Sequence, residues 1–252
     1  MERWTGRVAV VTGASAGIGE ALARSLAEHG MKVAALARRF DRLQKLQDDC
    51  NNFIGSIKPY KCDVTNENEI ATTIKSIVQD LGPISVLVNN AGLYEHVPMT
   101  DTSQGSCRQT YETNVIGLVT FTQHVVEIMK KHNITDGHII NINSVAGHCI
   151  VPKPGMANYT ASKHAVTVLT ESLKNELAAM KSKIRVTSIS PGLVDTNMGS
   201  VFTSNSVPLY PSLTINDIME CLVFVLSVKP HINISELTVE PVGQNNTSFT
   251  SG

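Results

Sequence analysis

Net charge is almost absent from this chain: 21 Lys and Arg stand against 22 Asp and Glu, a formal −1. Without a broad basic field there is nothing to hold a polyphosphate along the surface, which argues against a nucleic-acid partner. Also missing is any apolar run near the roughly 18 residues that cross a bilayer. The first apolar stretch, Val8 to Val11, is too short for a secretory leader. The cysteines (Cys50, Cys62, Cys107, Cys149, Cys221) are odd in number and scattered. With no C-x-x-C among them, neither a disulfide framework nor a zinc site is expected, and the reading is a reduced, cytoplasmic setting. The 8 His show no H-E-x-x-H or comparable spacing, so no metal is required. With 17 Gly and 10 Pro the chain is neither collagen-like nor low in complexity.

What is present is a globular composition, 252 residues with 42% hydrophobic and 17% charged. Short β-branched runs alternate with segments of helical length. Strands are expected at 8–11, 32–37, 60–63, 84–88, 138–142, 185–190 and 236–239. Helices are expected after the first glycine-rich turn (Ile18, Leu22 and Leu26 recur at helical spacing) and at 41–50, 66–81, 106–133, 159–180 and 216–227. This alternation predicts an α/β fold: a Rossmann-type, doubly wound parallel sheet of about seven strands with helices on both faces. No linker or repeat divides it. Residues 1–242 read as a single domain, and the polar tail 243–252 as flexible.

The first strand runs into Thr12-Gly13-Ala14-Ser15-Ala16-Gly17-Ile18-Gly19, which opens the first helix. Glycines there permit a tight turn and let backbone approach a diphosphate at the positive helix end. Such a triplet is weak alone; its place between strand and helix makes it a dinucleotide fingerprint. The second strand ends Ala35-Leu36-Ala37-Arg38-Arg39. A carboxylate that would hold a ribose hydroxyl and repel a 2′-phosphate is missing, and Arg38 and Arg39 offer guanidinium forks, so NADP(H) is the expected cofactor.

Tyr159 and Lys163, four apart, share one helix face. A neighbouring ammonium should lower the phenol from its free value near 10, making Tyr159 an acid/base for an alcohol or carbonyl. Ser144 follows the fifth strand, where ligands of open α/β sheets bind, and its hydroxyl can donate to a substrate oxygen. Taken singly, each of these is an ordinary helix or turn residue.

The ordered set, T-G-x-x-x-G-x-G, Asn89-Asn90-Ala91-Gly92, Asn114, Ser144, Tyr159-x-x-x-Lys163 and Pro191-Gly192, resembles the single-domain branch of the short-chain dehydrogenase/reductase family. The likeness covers the chain up to the tail. It implies that Asn114 supports a proton relay to Lys163, and that Lys163 also anchors a ribose. It implies further that Asp63 and Val64 flank the adenine, that Asn90 lies near the adenosine ribose, and that Leu193, Val194 and Thr196 contact the nicotinamide end. Gly13, Ser15, Ala16, Gly17, Ile18, Gly19, Gly92, Pro191 and Gly192 complete the implied cofactor site; Ser144 and Tyr159 are the implied substrate contacts. The opening residues 2–15 and the stretch 136–144 resemble one subfamily, the NADP-dependent farnesol dehydrogenases of insects and related vertebrate reductases of 3- and 17-ketosteroids. The segments 93–97, 148–152 and a lid at 199–211 supply Leu93, Tyr94, Val97, Ile150, Val151, Val201, Phe202, Val207, Leu209 and Tyr210, and contain no Arg or Lys. An apolar alcohol or carbonyl substrate is therefore expected, a farnesol-type alcohol first and a ketosteroid or general carbonyl compound as the alternative. A non-catalytic dinucleotide sensor is a remote third reading, since it would not need Ser144, Tyr159 and Lys163 together. The family also implies a homodimer or homotetramer through the two long helices.

Overall fold

The computed structural model describes residues 1–196, 198–199 and 212–244. After a 3₁₀ turn at Glu2–Trp4, the chain lays down β1 (Val8–Thr12), α1 (Gly17–Glu28), β2 (Lys32–Ala37), α2 (Phe40–Asp49), β3 (Ser56–Lys61), α3 (Glu67–Leu81) and β4 (Ile84–Asn89). It continues with α4 (Gln104–Tyr111), α5 (Gly117–Lys131), β5 (His138–Ile142), α6 (Ala157–Ala179), β6 (Arg185–Pro191), α7 (Ile215–Ser227) and β7 (Glu236–Val239). The strands form one parallel, seven-stranded sheet in the order β3-β2-β1-β4-β5-β6-β7. All five residues of β1 are buried, as expected of a parallel strand covered on both faces. One face packs on α1, α2 and α7 through Leu22, Leu26, Leu43 and Leu222. The other packs on α3, α5 and α6 through Ile70, Ile74, Phe121 and Leu177. Strand order reverses between β1 and β4, so the crevice beyond their carboxyl ends is the natural ligand site.

Two expectations need correction. The third strand begins at Ser56 and ends at Lys61, not over 60–63. It carries Pro59 mid-strand, which is tolerated because β3 is an edge. The continuous helix over 106–133 is broken: α4 passes into a π-helical turn at Glu112–Ile116 before α5 resumes. Of the expected lid, residues 200–211 lie outside the described residues, as does the tail from 245.

At the amino-terminal edge of the sheet, opposite the crevice, Trp4 is fully buried. The guanidiniums of Arg3, Arg7 and Arg185 lie 4.7, 4.8 and 5.8 Å from its ring centroid. The cluster caps the carboxyl end of α7: Trp4 Nε1 and Arg3 Nη2 donate to the Leu226 carbonyl at 2.9 and 3.0 Å. Arg185 Nη1 reaches the carbonyls of Val225 and Ile232 at 3.5 and 3.4 Å. Burial pulls the Arg185 guanidinium down to about 10. The partial negative charge of a helix carboxyl end offsets part of that cost. Arg7 pairs with Asp136 through two bonds of 2.7 Å. Replacing Trp4 with Ala should therefore cost about 3–5 kcal/mol in urea unfolding followed by far-UV circular dichroism. A loss below about 1 kcal/mol would show that the anchor is dispensable.

Candidate active site

The turn after β1 is shaped by backbone. Gly13 and Gly17 have φ of +68° and +58°. A Cβ on Gly19 would stand 2.3 Å from Asn90 Nδ2 and 2.5 Å from the Gly13 carbonyl oxygen, so that close approach requires glycine. Thr12 Oγ1 accepts from the amides of Asn90 and Ala91, both at 3.0 Å. Asn90 Nδ2 donates back to the carbonyls of Thr12 and Gly13 at 2.9 and 3.3 Å. The Asn90 side chain is thus a brace of the turn, and Gly92 follows it at an exposed position. α1 begins after Ala16 with no side-chain cap on its first amides. Beside them Ser15 Oγ receives Nε and Nη2 of Arg39 at 3.1 and 2.8 Å. Arg38, two-thirds exposed, stands 3.9 Å from Asp63, whose Oδ1 accepts from the Thr65 amide and hydroxyl. The backbone of Val64 packs on Gly117.

Beyond β6, the Gly192 amide donates to Val239 at 2.7 Å, and the Leu193 amide to Gln244 Oε1 at 2.9 Å. Val194 bridges to Leu213. Thr196 Oγ1 accepts from the Gly199 amide, and its methyl lies 3.9 Å from where a Gly17 Cβ would be. This loop therefore reaches back to the glycine turn, with Pro191 at the strand end below it.

Ser144 caps the 3₁₀ turn Val145–Gly147 at the end of β5 and hydrogen-bonds Tyr159 on α6. Lys163 Nζ, one helical turn on, lies 5.8 Å from the Tyr159 ring centroid and donates to the Ile142 carbonyl at 2.8 Å. Asn114, 2% exposed within the π turn, has its Oδ1 on the Leu93 amide at 2.7 Å. Its Nδ2 donates to the Leu93 carbonyl at 2.9 Å and to Ser162 Oγ at 3.0 Å. Ser162 in turn donates to the Tyr159 carbonyl at 2.7 Å. Both ends of one amide are engaged, by a loop and by a helix, and the widened turn accommodates that reach; π bulges of this kind recur at functional sites.

One electrostatic expectation is reversed. Burial pushes the Tyr159 phenol above its ordinary value, and the Ser144 hydrogen bond offsets this only in part. The ammonium that was to lower it is itself buried, drawn down to about 8 and committed to a carbonyl. Desolvation wins because both partners are out of water.

Sequence reasoning placed Thr12 in the motif without giving it a role, and missed Ser162 and Gln244. Thr12 and Ser162 had a weak signal, a hydroxyl beside the glycine turn and one three residues after Tyr159. Gln244 had none, since its partner is 51 residues away.

A family model described as short chain dehydrogenase matches residues 7–206. This chain belongs to the short-chain dehydrogenase family. It is 42% identical to dehydrogenase/reductase SDR family member 11 of Gallus gallus and 43% identical to the farnesol dehydrogenase of Aedes aegypti, each over 97% of this chain and 99% of the relative. Among solved structures it is similar to a closed serine dehydrogenase complexed with NADP+ (TM-score 0.84, 33% identity, 97% and 99% of the two chains). It is also similar to a variant of the actinorhodin polyketide ketoreductase with NADPH (TM-score 0.84, 27% identity, 92% and 95%).

This short-chain dehydrogenase has residues that fit a nicotinamide dinucleotide. The first amides of α1 have no side-chain cap of their own, the glycine turn leaves no room for a side chain at Gly19, and two guanidiniums stand at the end of β2. The low Lys163 value has a consequence for stability. Below about pH 8 the folded chain carries a buried ammonium at a cost. Between there and about 10.5 the folded state has shed a proton that the unfolded state keeps, so stability rises with pH. Relative to Lys163→Met, the native chain should gain on the order of 2–3 kcal/mol between pH 7 and 10 in chemical denaturation. A constant difference would place the ammonium in water.

Proposed function

We propose that this short-chain dehydrogenase is an NADP(H)-dependent oxidoreductase that interconverts an apolar alcohol and its aldehyde or ketone, with a farnesol-type isoprenoid alcohol as the first substrate. The observation that carries this is the convergence of Ser144, Tyr159 and Lys163 beyond β5, next to the crevice where the glycine turn lies. When bound, the cofactor supplies or accepts the hydride. The uncapped amides of α1 at Gly17 and Ile18 would hold its diphosphate, Arg38 and Arg39 its 2′-phosphate, and the loop Gly192–Thr196 its nicotinamide end. The named Aedes relative supports the isoprenoid substrate. So does the absence of Arg and Lys from segments 93–97 and 148–152, which leaves no anchor for a charged substrate.

Tyr159 holds the proton that the chemistry needs. A phenol kept protonated by burial can donate to a developing alkoxide, while Ser144 Oγ donates to the same oxygen. Lys163 stabilises the phenolate left behind, with Asn114 as the support of a proton relay to it. The same groups serve a second reading, reduction of a ketone such as a ketosteroid. The five cysteines are unpaired, which supports a cytoplasmic setting. The family resemblance adds a homodimer or homotetramer through the long helices to this reading.

Absorbance at 340 nm, with NADPH or NADP+ and a panel of isoprenoid alcohols, steroids and quinones, tests the reading; no change with any would favour a dinucleotide sensor. Tyr159→Phe should abolish turnover while leaving NADPH affinity within about 2-fold, and retained turnover would remove the proposed acid. The double change Arg38→Ala and Arg39→Ala should weaken NADPH binding by about 10- to 100-fold and NADH binding little. Equal loss for both would place the arginines away from the 2′-phosphate.

A further inference from the structure

Tyr159 is reached by a second aromatic ring. Tyr94, in the loop after β4, is 9% exposed and meets Tyr159 edge to face, with centroids 5.4 Å apart and planes at 74°. The two rings belong to a small apolar cluster with Ala146 and Met156, separate from the cores on either face of the sheet. Tyr94 is held in turn: its hydroxyl and His96 Nδ1 are 2.7 Å apart. The His96 ring fills the space beside Gly155, where φ is +84° and a Cβ would come within 2.7 Å of Nδ1. The loop after β4 is thereby docked against the segment that leads into α6, by a histidine that only glycine admits.

Helix geometry restricts the first torsion of Tyr159 but not the rotation of its ring about the second, which is broad and two-fold. The plane of the phenol must be set by its neighbours. We propose that Tyr94 is a positioning residue for Tyr159: its ring, fastened through His96 into the notch at Gly155, fixes the plane in which the phenol presents its proton. This rests on the reading of Tyr159 as the acid/base. Tyr94 acts through Tyr159 and takes no proton itself; burial and the neighbouring phenol push its own hydroxyl up to about 12.

The test is a graded series with NADPH and two carbonyl substrates of different size, a farnesal-type aldehyde and a steroid ketone. Tyr94→Phe and His96→Ala cut the same hydrogen bond and keep the edge-to-face ring pair, so each should lower kcat by about 2- to 5-fold. Tyr94→Leu also removes the edge contact and should lower kcat by roughly 10-fold. The loss should be the same factor for both substrates, with NADPH Kd unchanged. Full kcat in Tyr94→Leu, or an effect confined to KM and differing between substrates, would overturn the proposal and make Tyr94 a substrate contact only. Should Tyr94→Leu fail to fold, His96→Ala decides, because His96 is exposed and its loss unfastens the Tyr94 ring without removing it; full kcat in that variant would overturn the proposal. Retained turnover in Tyr159→Phe would remove the underlying reading instead, so the two failures are distinguishable.

Discussion

A lysine taken out of water is the constraint on which the site is built. Lys163 is 6% exposed, and its ammonium has a carbonyl at the end of β5 as hydrogen-bond partner. A buried cation is tolerated only when its donors are met and its surroundings are fixed. That requirement ties α6 to the end of β5 one helical turn from Tyr159, and so sets where the phenol and Ser144 meet.

The same logic continues into the protein as a set of polar rungs. Asn89 Nδ2 bridges to Thr122 at 3.0 Å and Asn141 at 2.9 Å, and Asn141 donates to Thr170 at 2.8 Å. These groups are buried and pin β4 and β5 to the helices α5 and α6 that carry the site. Apolar side chains of similar volume would fill the space, but they would not fix the rotation of a helix about its axis. Hydrogen-bonded polar groups do, because an unmade bond there costs about 1–3 kcal/mol, and Asn89 Oδ1 is the one buried atom of this set left without a partner. The arginine cluster around Trp4 plays a comparable part at the far edge, fastening the end of α7. The Trp4 anchor thus lies at the end of the strands opposite the chemistry.

Much of the architecture was legible in the chain alone. The β-branched runs and helical spacings located seven strands and pointed to a parallel sheet, and the succession of glycine turn, Asn-Asn-Ala-Gly, Ser144 and Tyr159-x-x-x-Lys163 identified the family. Local signals suffice there because period and residue type are local properties. Boundaries failed where tertiary placement overrode local preference. The third strand, expected at 60–63, begins at Ser56 and carries Pro59 on a sheet edge, and the helix expected over 106–133 opens into a π turn where Asn114 is gripped by the loop at Leu93 and by Ser162.

The residues alone determined which chemical groups are available, a phenol, an ammonium, a hydroxyl and a phosphate-sized turn, and in what order the fold brings them up. Only the folded packing decided the state in which they meet. The direction of the Tyr159 shift, the widened turn at Asn114 and the edge contact from Tyr94 depend on burial and on partners distant in the chain. Desolvation and cross-chain contact have no counterpart in a linear spacing, so a proton affinity read from neighbours in sequence came out with the wrong sign.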